Sequence, residues 1–190
     1  MAIATVGTGS QSRSYPLGTW TNQTVQFTPS AINDTNSALR IAKVSYSSTG
    51  ASNVSGSYDA RTGQAPVIAL SADGITTVQI FAENEASLIS GARSFAVMVD
   101  KTAPVSAALL TGTKLASGAY SGSVKIAVSA SDPISGVAGL SWLLDGGKWT
   151  PATNPFALTI TAKGAHSFLY YGKDRAGNIE KQQSITFTIQ

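Results

Sequence analysis

No cysteine occurs among the 190 residues. Disulfides therefore stabilise nothing in this chain, and thiol nucleophiles and zinc–thiolate centres are excluded. Histidine is almost as scarce: His166 is the only one, which excludes His-rich metal sites and any mechanism that needs two imidazoles. Charged residues make up 12% of the sequence against 43% hydrophobic, about half the usual charged share. The net charge of +3 is unevenly spread, with five basic and six acidic side chains in residues 1–100 and eight and four in residues 101–190. No basic cluster interleaves with aromatics as a nucleic-acid surface requires. A mild excess scattered over the chain serves solubility. No run of 18 apolar residues is present, so no membrane insertion is expected. The opening Met1-Ala2-Ile3-Ala4-Thr5 lacks the basic region of a secretory signal, and the expectation is a fragment of a longer exported chain.

What the sequence does hold is β-branched residues, 18 glycines and 7 prolines that punctuate short apolar stretches. That combination predicts many short strands. The chain also matches itself. At an offset of 90 it aligns without a gap from Ile68 with Leu158 to Val99 with Ile189, pairing Gly74 with Gly164, Val78 with Phe168 and Ile80 with Tyr170. Matched apolar residues keep the same parity, the period of a strand. Upstream, Trp20 answers Tyr120, and Val25 and Phe27 answer Val124 and Ile126. Two copies of this length match the size of a β-sandwich domain. The predicted fold is all-β, two tandem immunoglobulin-like antiparallel β-sandwiches, over residues 1–101 and 102–190. In the second copy, strands are expected near 104–111, 122–130, 138–144, 148–150, 155–161, 165–173 and 182–190. Alternation turns Val124, Ile126, Val128, Leu140, Trp142, Leu144, Phe156, Leu158, Ile160, Phe168, Tyr170, Ile185, Phe187 and Ile189 inward. Trp142 sits where an immunoglobulin core keeps a tryptophan, without the cysteine pair.

Several motifs carry a family resemblance. Asp100-Lys101-Thr102-Ala103-Pro104 follows a last strand, Leu144-Asp145-Gly146-Gly147 precedes Trp149, and Asp174-Arg175-Ala176-Gly177-Asn178 forms a compact turn signal. Together these resemble the Asp-x-Thr-Ala-Pro linker, the hairpin and the Asp-x-Ala-Gly-Asn turn of bacterial immunoglobulin-like repeat domains of surface and secreted proteins. The first copy is the more divergent, with Asn84-Glu85-Ala86-Ser87-Leu88 at the turn. The resemblance implies a spacer or accessory module in an extracellular or cell-surface protein whose partners are neighbouring domains of a longer chain.

The search for chemistry yields two candidate sites. Asp174 is first of all a turn residue, its carboxylate accepting backbone N–H groups. In a sandwich, however, the loops carrying Asp132, Asp174 and Asn178 share a pole with the linker residue Asp100. Hard oxygen donors from several loops are what Ca2+ requires, so these four are the metal candidates, at a domain junction. The first copy offers Asn33, Asp34 and Asn84 with Leu88 in place of the asparagine, and no equivalent site is expected there. The second candidate is aromatic. Trp20, Tyr120, Trp149 and Tyr171 could stack on a sugar, and Trp149 with Tyr171 are the ligand candidates, beside the plainer role of covering a sandwich edge. His166 reads as a polar residue at a strand edge, and Glu83 with Glu85 as a solvated strand end. No nucleophile elbow and no phosphate-cradling loop accompany them.

The expectation is a non-catalytic spacer or adhesion stalk of a bacterial extracellular multidomain protein. Two alternatives stand beside it. One is a glycan- or protein-binding accessory module of a secreted polysaccharide-active enzyme, and the other a surface-layer or filament subunit.

Overall fold

A computed structural model describes residues 2–7, 13–33 and 39–190. The chain divides into two compact units, Met1–Lys101 and Thr102–Gln190, and every regular element among the described residues is a strand.

The first unit contains β1 (Ala2–Val6), β2 (Arg13–Ser14), β3 (Trp20–Thr21), β4 (Val25–Pro29), β5 (Ile41–Gly50), β6 (Ser55–Asp59), β7 (Ile68–Leu70), β8 (Gly74–Asn84) and β9 (Arg93–Val99). One sheet runs β2-β1-β4-β7 and the other β3-β9-β8-β5-β6. Period-two alternation drives them together. Along β4 the buried positions are Val25, Phe27 and Pro29, and along β8 they are Thr76, Val78 and Ile80. These close on Val44, Leu70, Val97 and Val99 to form one core. Gly50 ends β5 with φ +101°, and a Cβ there would lie 2.3 Å from the Ile75 carbonyl oxygen. Only glycine fits that close turn.

The second unit repeats the plan with β10 (Val105–Lys114), β11 (Tyr120–Ser131), β12 (Val137–Leu144), β13 (Thr150–Ala152), β14 (Phe156–Ile160), β15 (Gly164–Asp174) and β16 (Gln183–Ile189). β10, β11 and β14 form one layer, and β16, β15, β12 and β13 the other. A single parallel bridge from Tyr120 to Ile189 joins them. Strands stand at the seven expected places, with the one expected at 148–150 falling two residues later as β13, and the fold is the predicted pair of antiparallel sandwiches. The fourteen residues predicted to face inward all belong to the core or pack against it. Trp142 is half-buried, stacked on Phe156 at 6.3 Å and on Phe168 at 6.0 Å. The turn from β12 toward β13 places Asp145 at φ +52° and Gly146 at φ +71°. Two successive positive values mark the turn type whose twist suits a hairpin.

Candidate metal centre and aromatic pair

The loop after β11 and the turn after β15 meet at one pole of the second unit, where the amide of Arg175 donates to the carbonyl of Gly136. Asp132 organises the loop: its Oδ1 accepts the N–H groups of Ile134, Ser135 and Gly136 at 2.9–3.0 Å. Asp174 organises the turn: its Oδ1 accepts from the amides of Gly177 (2.6 Å) and Asn178 (2.7 Å). Its Oδ2 accepts from Nδ2 of Asn178, which also donates to the carbonyl of Thr102. Carboxylate oxygens of Asp132 and Asp174 lie within 4.8 Å of each other. The remaining oxygen, Oδ2 of Asp132, is buried and accepts no hydrogen bond from the described residues. A buried carboxylate oxygen without a donor costs free energy unless a cation satisfies it. The donor set is all oxygen, which suits Ca2+ and not a soft metal.

Three of the four predicted ligands, Asp132, Asp174 and Asn178, thus come together within one unit. The fourth, Asp100, closes the first unit, where its amide donates to the carbonyl of Thr21. In the chain it stands two residues before Thr102, whose carbonyl Asn178 holds. The corresponding turn of the first unit is organised by an uncharged side chain. Asn84 Oδ1 accepts from the amides of Ala86 and Leu88, and Asn33 Oδ1 from that of Ile41. Asp34 lies outside the described residues.

Of the four aromatic candidates, Trp149 and Tyr171 meet. Their ring centroids are 4.8 Å apart with planes at 61°, and Trp149 keeps 39% of its surface exposed. Tyr171 faces outward on β15 opposite Ser141 of β12, beside the β12–β13 hairpin that carries the tryptophan. The pair forms a tilted corner, not a flat platform. Tyr120 leaves the set. It is buried, edge-on to Phe187, because the strand alternation that buries Val124 and Ile126 turns Tyr120 inward as well. Trp20 belongs to the first unit, on the two-residue strand beside Met98.

His166 lies near the start of β15, as expected of a polar residue at a strand edge, but it has partners the sequence did not reveal. It is buried, its ring stacked on Phe187 at 5.2 Å. Nδ1 lies 2.7 Å from Asp145 Oδ2, and Nε2 lies 2.8 Å from the carbonyl oxygen of Ala162. Asp145 also accepts the Ser167 amide through Oδ1. Both ring nitrogens face acceptors, so both must carry protons for the two bonds to form. The Asp145 carboxylate, and next the Ala162 carbonyl, push the His166 pKa up. His166 and the Ser167 amide in turn hold the Asp145 carboxyl below its ordinary value.

No protein-family model matches the chain, and no curated protein matches it. Among solved structures it is similar to the fibronectin(III)-like modules of Clostridium thermocellum CbhA. That likeness is 15% identical, covers 90% of this chain and 88% of the other, and has a TM-score of 0.41. It is too distant to bear on function.

Proposed function

We propose that this chain is a non-catalytic repeat module, a spacer or adhesion stalk of a bacterial extracellular or cell-surface protein, whose second unit is stabilised by Ca2+. One observation carries the reading: the polar chemistry goes into holding loops. Asp132, Asp174 and Asn84 each spend a side-chain oxygen on backbone amides of loops or turns, Asn33 spends one on the first amide of β5, and His166 and Asp145 tie a strand to a hairpin turn. Residues used this way make a durable domain and leave little for a reaction. Asp132 and Asp174 would hold the cation, which neutralises two neighbouring carboxylates and satisfies the orphaned Oδ2. Mechanical unfolding of single molecules tests the stalk reading. Two separate events are expected, each lengthening the chain by roughly 300–360 Å. Release of the whole length in one step would contradict it.

The exposed aromatic corner favours a second reading, a glycan-binding accessory module. An indole face beside a tyrosine is a common way to hold a sugar ring, through apolar contact on a partly wet surface. Retention on an insoluble polysaccharide that is lost in Trp149→Ala supports this reading, and passage of the native chain straight through the matrix removes it.

A further inference from the structure

Each side-chain carboxylate of the second unit works inside the fold. Residues 102–190 hold four: Asp132, Asp174 and Glu180 accept backbone amides, and Asp145 pairs with His166. The same residues carry seven lysines and arginines. Among the described residues of this unit, the His166–Asp145 contact is the one ion pair. Positive charge is therefore left over at the surface.

Two of these cations flank the aromatic corner. Strand parity puts Lys173 on the same face of β15 as Tyr171, two residues on and so about 7 Å away, and it is exposed. Lys148 adjoins Trp149 in the chain and is exposed as well. No carboxylate stands on the outward face of β12, β13 or β15, since Asp174, the one acidic residue on these strands, is buried. Beside the rings the floor is bare. Gly139 stands opposite Lys173 on β12, as Ser141 does opposite Tyr171. Its backbone lies outside the left-handed region, and a Cβ there would meet only the Ala152 carbonyl oxygen, at 3.4 Å. The extra residue of the adjoining bulge is Ala138. Neither backbone nor packing demands glycine at this position, and a glycine within a strand costs stability. What the missing side chain provides is room next to the tyrosine.

We propose that the corner binds an acidic polysaccharide, a polymer whose sugar rings carry carboxylates, as those of uronic acids do. The apolar face of one ring lies against Trp149 and Tyr171 above Gly139, and carboxylates of that ring and its neighbour meet Lys148 and Lys173. A neutral sugar is held through its hydroxyls, which need acceptors such as Asp or Glu as well as donors. Here the charged groups beside the rings are ammonium donors, and those match a carboxylate. The inference rests on the second reading above, in which the corner holds a glycan, and names the class of that glycan.

The test passes the full chain over two immobilised forms of one polymer, polygalacturonate and the same polymer with its carboxyl groups reduced to alcohols. The buffer holds ~0.15 M salt, which screens attraction beyond close contact. Retention by the acidic form alone is expected. Trp149→Ala should weaken it about tenfold, and Lys148→Gln and Lys173→Gln about two- to fivefold each. Gly139→Thr, which fills the floor with a side chain that suits a strand, should weaken it too while leaving the melting midpoint of the second unit in place. Equal retention by both forms overturns the acidic class and leaves a glycan site at the corner. Retention by the acidic form that persists in Trp149→Ala is adsorption by net charge and overturns the site. Passage through both matrices removes the second reading and this inference together.

Discussion

Replacing Asp145 by asparagine removes one charge and almost no volume, and asparagine tolerates the positive φ of that turn position. It should nevertheless weaken the second unit, because the charge is what holds His166 doubly protonated. His166 is buried while Asp145 is 42% exposed, so solvent screens the pair. A charge-assisted hydrogen bond contributes about 1.5–3 kcal/mol in a shielded place, and screening reduces this to about 1 kcal/mol here. In a unit of this size that lowers the melting midpoint by about 4–8 °C. The loss has a pH signature. The folded-state pKa of His166 lies above 6.5, so its contribution is complete below pH 6.5 and disappears as pH rises through the raised value. The folded-state pKa of Asp145 lies below 3.8, so its contribution is present above pH 3.8 and lost as pH falls through the lowered value. Native chain and Asp145→Asn should therefore differ most between about pH 4 and 6.5 and converge at alkaline pH. Urea unfolding followed by Trp142 and Trp149 fluorescence measures this across pH 4–9. A difference that is constant over that range, or a neutral His166 imidazole at pH 6 by 15N NMR, would refute the reasoning.

Two further substitutions probe the scaffold. Glu180→Ala strips the acceptor from the amides of Ser106 and Gly172, both buried, and should cost the second unit about 2–4 kcal/mol in denaturant unfolding. Gly50→Ala forces a Cβ against the Ile75 carbonyl at positive φ, and should cost the first unit about 2–4 kcal/mol, read from the same experiment.

Strand period and turn chemistry make the fold readable from the sequence. Alternation over Val124, Ile126 and Val128 and the glycine-marked hairpin at residues 144–147 are local signals, and the structure repeats them. The turn role of Asp174 was readable for the same reason, since its donors lie three and four residues away, whereas the loop-capping role of Asp132 emerged only from the structure. The partner of His166 was not readable, because it is 21 residues distant and the contact depends on how one hairpin folds over the next strand. Tyr120 misled because the expected strand began at residue 122, whereas β11 begins at Tyr120 and turns it inward.

Thermal unfolding of the whole chain in excess Ca2+ and then in chelator, with Asp132→Asn as the control, reads out the cation at Asp132 and Asp174. A cation that binds only the folded second unit, at 100 times its dissociation constant, adds ~2.7 kcal/mol and moves that unit's midpoint by about 10 °C or more. That shift is expected for the native chain and is lost in Asp132→Asn. Identical midpoints with and without Ca2+ would contradict it and leave Asp132 and Asp174 as turn residues alone.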